Sequence, residues 1–167
     1  DAPYRERLSR QMGYTPQEIQ VFAINWSRNM HARKRFLYNN ETKLKYAKEI
    51  VEKFPLTTIT FSETTDFADQ LTDHINTGSN RSISYHSKIP AKKRKELLAG
   101  FRESDSPVHV INTAKALDEG FDIEGIELAV ICSGTSTARQ YIQRVGRTVR
   151  FKKDKIALIV NLYLKGT

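Results

Sequence analysis

From about residue 57 to the end of the chain, short apolar segments alternate with amphipathic helical ones, and that alternation leaves few architectures open. Strands are expected over 57–61, 82–85, 107–112, 128–132 and 156–162. Helices are expected between them over 64–75, 91–102 and 138–147. The first turns Phe67, Ala68, Leu71 and Ile75 inward; the second turns Leu97, Leu98 and Phe101 inward. The run Leu128-Ala129-Val130-Ile131-Cys132 is apolar at every position, as a strand covered on both faces requires. Alternation at this spacing implies a parallel sheet with right-handed crossovers. The fold class is therefore α/β, with helices on both sides of a central sheet.

The residues before this region read as helical. Thr15-Pro16-Gln17-Glu18 has the marks of a helix start: a threonine cap, proline at the first helical position and glutamate three places after the cap. A helix is expected over 16–38, carrying Arg28, Arg33, Lys34 and Arg35. Asn39-Asn40 interrupts it. Over 41–54 a second helix lines up Leu44, Ala47, Ile50, Val51 and Phe54 on one stripe, and Pro55 ends it. The expected division is a helical lead-in over 1–54 and an α/β domain over 55–167.

With 167 residues, 39% of them hydrophobic, the chain can bury a core of its own. Its 27 Lys and Arg against 19 Asp and Glu give a net charge of +8. That favours a polyanionic partner, nucleic acid first. No apolar run reaches membrane-spanning length, and no basic helix has a bulky apolar face, so no membrane partner is expected. Cys132 is the one cysteine, and His31, His74, His86 and His109 are scattered, so neither a disulfide framework nor a metal site is expected. The chain opens on Asp1 rather than Met, which points to processing or to excision from a longer chain.

In open parallel sheets, ligands bind beyond the carboxyl ends of the strands. That edge carries Ser62-Glu63, His86-Ser87, Thr113-Ala114 and Ser133-Gly134-Thr135. Ser62 or Thr64 can cap the helix that follows the first strand, and free N–H groups there attract phosphate. After Pro90 comes Lys92-Lys93-Arg94-Lys95, which reads either as a contact or as a solvated helix face. In Gln143-Arg144-Val145-Gly146-Arg147-Thr148-Val149-Arg150, three arginines stand at i, i+3 and i+6. On a helix Arg147 and Arg150 reach toward one partner. Their guanidinium forks suit phosphate oxygens.

The string LDEGFDIEGIELAVICSG followed by STARQYIQRVGRTVR resembles motif V running into motif VI of superfamily 2 helicases and translocases. From about residue 55 onward the chain is similar to the second, C-terminal RecA-like domain of such enzymes. The similarity is nearest the branch of XPB-type repair helicases and phage recombination helicases such as UvsW. The resemblance implies that Arg147 and Arg150 act as arginine fingers on the γ-phosphate of ATP, with Gln143 on the phosphate or the attacking water. It implies that Asp122, in Gly120-Phe121-Asp122, holds the ribose and that Gly120 and Arg144 belong to the same nucleotide site. It makes Ser62, Glu63, His86, Ser87, Thr113 and Ala114 the nucleic-acid contacts. Three positions depart from the family pattern. Glu124 stands where proline is usual, and Val149 where glycine is common. The threonine of motif V falls at Ala114, so either Thr113 takes that contact or the contact is lost.

The sequence holds no Gly-x-x-x-x-Gly-Lys-Ser/Thr loop and no Asp-Glu-x-His motif, the parts that hold phosphates and Mg²⁺ in phosphoryl transfer. The resemblance therefore implies half of an ATP·Mg²⁺ site, inactive alone and completed by a first RecA-like domain of the same protein. DNA, bound without regard to sequence, is the expected partner, and the cytoplasm or nucleoid (the host cytoplasm for a phage protein) the expected location. The rival reading is a non-enzymatic, basic nucleic-acid-binding or adaptor module.

Overall fold

The computed structural model describes residues 2–77, 81–103, 105–114, 125–132 and 157–165. Two compact units divide the chain, Asp1–Phe36 and Leu37–Thr167. The first consists of helix α1 (Ala2–Met12) and most of α2 (Pro16–Tyr38). The capping box expected at the start of α2 is formed. The Thr15 N–H and hydroxyl both donate to Glu18 Oε2 at 2.8 Å, and the Glu18 N–H donates back to Thr15 Oγ1 at 3.3 Å. Those bonds, the backbone one foremost, hold the Glu18 carboxyl below its usual range. Tyr14 meets Phe22 edge-on at 5.2 Å, and Trp26 stands exposed on α2.

The second unit holds the sheet. Its elements are α3 (Glu41–Lys53), β1 (Thr58–Ser62), α4 (Thr65–Ile75), β2 (Ser82–His86), α5 (Ala91–Arg102), β3 (Val110–Ala114), β4 (Leu128–Ile131) and β5 (Leu158–Asn161). The five strands lie in the order β2-β3-β1-β4-β5, and every described pairing is parallel. This is the expected α/β architecture of a RecA-like domain. Helix α4 links β1 to β2 and α5 links β2 to β3.

Side chains alternate across the sheet with a period of two, so each strand feeds two cores. One core joins Leu44, Ala47 and Val51 of α3 and Phe67, Leu71 and Ile75 of α4 to Val110, Leu128, Val130 and Cys132. The other joins Phe101 of α5 to Ile59, Phe61, Ile111, Ala129 and Ile131. The apolar stripe of α3 is thus explained: it packs on the sheet, and α3 belongs to the sheet-bearing unit. Asn40 caps α3 by accepting the Thr42 N–H at 3.0 Å, and Phe54 ends it just before Pro55.

The strand ends differ from those expected. The third strand is Val110–Ala114 rather than 107–112. Pro107 has no N–H for a ladder, and β3 keeps register with β1, Thr58 opposite Val110 and Ser62 opposite Ala114. His86, expected just past β2, is its last residue, and Thr113 and Ala114, expected past β3, close that strand. The helix expected over 138–147 lies outside the described residues.

Candidate functional site

Parallel pairing brings the carboxyl ends of all five strands to one edge. Ser62, Ala114 and His86 occupy one row across β1, β3 and β2, and Phe61 pairs with Ile131 of β4. Adjacent strands are about 4.8 Å apart, so these ends form one continuous rim. The expected contact residues Ser62, His86, Thr113 and Ala114 are brought together there. Gly120, Asp122, Gln143, Arg144, Arg147 and Arg150 lie outside the described residues.

The rim residues are not equally accessible. Ser62 is buried, and its hydroxyl donates to the carbonyls of Thr113 at 2.9 Å and Thr64 at 3.0 Å. The Thr113 hydroxyl, also buried, donates to the Thr60 carbonyl at 2.7 Å. Both hydroxyls therefore tie strand end to strand end. The helix cap falls to Thr64, whose Oγ1 accepts the Phe67 N–H at 3.2 Å and donates to Asn39. Glu63 is half-buried beside Tyr38; burial first, and the Glu63 charge second, push the Tyr38 phenol above its usual range. Ser87 stands exposed at the start of the loop after β2.

His86 is buried, and its Nε2 lies 2.9 Å from Asp69 Oδ1 on α4. Its Nδ1 has no partner. One helical turn earlier on α4, Asp66 Oδ1 receives the Lys88 ammonium at 3.1 Å. The two acids thus hold both basic groups of the His86-Ser87-Lys88 segment. On the other face Arg94 lies over the Tyr85 ring at 5.8 Å, with its Nε buried and unpartnered.

Sequence reasoning missed Lys43. It is 4% exposed, and its ammonium donates to the Cys132 carbonyl at 3.2 Å, at the carboxyl end of β4. Burial pulls its pKa below the ordinary lysine value. Burial also pushes the Cys132 thiol up to about 12, so the thiol stays protonated. The signal was available: a lysine beside Leu44, at the start of the α3 apolar stripe. Asp69 was missed as well, because nothing local ties it to a histidine 17 positions on.

Among the described residues no three His, Cys, Asp or Glu side chains gather as metal ligands. A pocket of about 330 Å³ touching Val51, Ile75, Arg81 and His109 opens instead beside the amino ends of β1, β2 and β3. Among the described residues the rim presents strand-end backbone and the loop residues Ser87 and Lys88.

The family model described as helicase conserved C-terminal domain matches residues 42–152. The chain belongs to this family. The match starts within α3, in accord with the packing of that helix on the sheet. Among curated relatives, the DNA 3'-5' translocase XPB2 of Sulfurisphaera tokodaii is 32% identical over 138 residues, 82% of this chain and 30% of the relative. The ATP-dependent RNA helicase FAL1 of Coccidioides immitis is 28% identical over 100 residues, 60% of this chain and 25% of the relative. The solved C-terminal domain of the DEAD-box protein Dbp5 shares the fold with a TM-score of 0.60 at 24% identity, covering 77% of this chain and 73% of that one. The chain spans less than a third of the length of these two curated relatives. It is a superfamily 2 helicase C-terminal domain, and its motif V and VI segments fall inside the family match.

Proposed function

We propose that this chain is the second motor domain of an ATP-dependent DNA helicase or translocase. In this reading it supplies arginine fingers to an ATP site between two RecA-like domains, and one wall of a nucleic-acid groove. The observation that carries the reading is the continuous string from Leu117 to Arg150, which has the motif V and VI residues at family spacing and lies within the family match. The greater identity to a DNA translocase than to an RNA helicase favours DNA.

Bound ATP would supply the phosphoryl group whose transfer drives the motor. The donor set of this chain fits half of that ligand. With ATP bound, Asp122 would accept from the ribose hydroxyls, and Arg147 and Arg150 would donate to the γ-phosphate and stabilise the charge that develops there. Gln143 orients the γ-phosphate or the attacking water, and Gly120 and Arg144 complete this wall of the site. Mg²⁺ ligands would come from the first domain, since phosphoryl transfer needs them and this sequence carries neither motif that supplies them. Ser87, Lys88 and the backbone of the Ser62–Glu63 and Thr113–Ala114 strand ends track phosphates, which suits movement without sequence readout.

Arg147→Ala in the complete enzyme should lower kcat by about three to five orders of magnitude with ATP binding weakened far less. Near-normal turnover would return Arg147 to a surface charge. The isolated chain should show no DNA-stimulated ATP hydrolysis, and turnover scaling with its concentration would overturn the half-site reading.

A further inference from the structure

The loop that joins β2 to α5 is Ser87-Lys88-Ile89-Pro90, and Lys88 is its one charged residue. If this loop follows phosphates, as the proposed function has it, Lys88 is the cation that meets them. In the free chain that cation is already engaged. Its ammonium donates to Asp66 Oδ1 at 3.1 Å, and the Thr65 hydroxyl donates to the same oxygen at 3.2 Å. One helical turn away the same loop is tied down a second time, through His86 and Asp69.

The two ties differ in one decisive respect. The His86 side chain is 4% exposed and Asp69 50% exposed, so this tie is anchored in the fold on its histidine side. Lys88 and Asp66 are 67% and 64% exposed. An exposed pair of this kind is held by a weak net attraction that water and salt screen. A phosphodiester can therefore replace Asp66 as the partner of Lys88 without disturbing the buried tie.

We propose that Asp66 is a displaceable carboxylate that occupies Lys88 until a nucleic-acid phosphate takes its place. This rests on the reading of the loop as a backbone contact. The Asp66–Lys88 pair then acts as a brake on binding. Each engagement must break or share the pair and bring a phosphate close to a carboxylate of like charge. The brake lowers affinity without specifying sequence. It also favours release between steps, which a moving grip needs more than tightness. The His86–Asp69 tie, buried on its histidine side, meanwhile holds the end of β2 from which the loop starts, so the exchange is a local change of partner rather than a refolding.

The test measures binding of the full chain to labelled oligothymidine and oligouridine across a salt series. The two strands carry the same phosphate chemistry and separate a DNA from an RNA source. Asp66→Asn should tighten binding to both about two- to fivefold at low salt, the scale of an exposed ion pair. Its slope of log K against log salt should steepen by up to about one counterion. In a Lys88→Ala background the same substitution should change nothing. Asp73→Asn removes the same charge from an exposed position on the same helix and should leave affinity near the unmodified level. An Asp66→Asn chain that binds no tighter overturns the inference while leaving the motor reading intact. So does a gain that survives Lys88→Ala, or one that Asp73→Asn reproduces. Absence of binding by every variant would overturn the groove reading and the brake together.

Discussion

The two faces of the sheet are packed by different chemistry. Under α5 the strands present Ile59, Phe61, Ile111, Ala129 and Ile131, an apolar surface with Thr113 at its rim end. Under α3 and α4 the sheet presents Val110, Leu128 and Val130 together with the polar Thr60, Ser84, Asn112 and His86. The Thr60 hydroxyl donates to Asn112 Oδ1 at 2.7 Å, the Asn112 amide donates to Thr72 Oγ1 at 2.8 Å, and the Ser84 hydroxyl lies 2.9 Å from Thr72. Asn76 accepts the Ser82 N–H at 2.8 Å and returns a bond to its carbonyl at 2.9 Å. An apolar face supplies burial and tolerates small shifts of a helix along it. A polar face is satisfied only while its donors and acceptors stay within hydrogen-bond reach, so it tolerates less sliding of a helix. We infer that both faces contribute burial, while the polar network on the α4 face also fixes where α4 sits. It is α4 that carries Asp66 and Asp69, so that placement reaches the rim.

The largest expected effect probes the apolar face. Phe61 is fully buried, and Phe61→Ala should cost about 3–5 kcal/mol in urea unfolding. A loss below 1 kcal/mol would mean that this face carries less of the stability than its composition implies. Next comes the polar face, where Asn112→Ala should cost about 1–3 kcal/mol by removing the acceptor of the buried Thr60 hydroxyl and a donor to Thr72 Oγ1. Thr72→Val combined with Asn112→Ala should be clearly non-additive, since the two side chains share a bond. Additive costs would break the account of a single-position network.

This contrast also marks what the sequence made legible. The apolar packing of both faces was read because its signal is local: alternating or continuous apolar residues in each strand, with Phe67, Ala68, Leu71 and Ile75 on one helix and Leu97, Leu98 and Phe101 on the other at helical spacing. The capping box at Thr15–Glu18 was read for the same reason. The polar face was not, because Thr60, Thr72 and Asn112 are ordinary residues until the fold joins positions 40 and 52 apart. The α3 stripe was found without its destination, since nothing local to a helix says which surface it covers. Helix α1 was not singled out, although Gly13, at φ 71°, closes it just after Met12 and Arg10 stands in its last turn. At the rim, motif spacing placed Ser62, His86 and Thr113 on one edge. It gave no warning that their side chains turn inward, because register decides that and sequence spacing leaves strand ends open by a residue or two.

The smallest expected effects lie where the α3 part of the mixed face meets the rim, and they have opposite signs. Cys132 has its thiol pKa raised by burial from 9.0 to about 12. Its contribution is intact below the unfolded value and is lost as pH rises from about 9 toward 12, because the unfolded chain sheds the proton first. The loss is about 1.4 kcal/mol per pH unit inside that window. Lys43 is displaced the other way. Burial lowers its pKa, so below the ordinary lysine value the unfolded chain holds the proton more tightly, and stability rises with pH up to that value. Cys132→Ala should therefore flatten the alkaline fall in stability, while Lys43→Met should steepen it by removing the opposing term. Both are read as differences from the parent chain in unfolding free energy measured from pH 7 to 11. A Lys43→Met curve parallel to the parent throughout would show that the ammonium is not desolvated at the end of β4. Lys43 would then add no pH dependence to the stability of the mixed face.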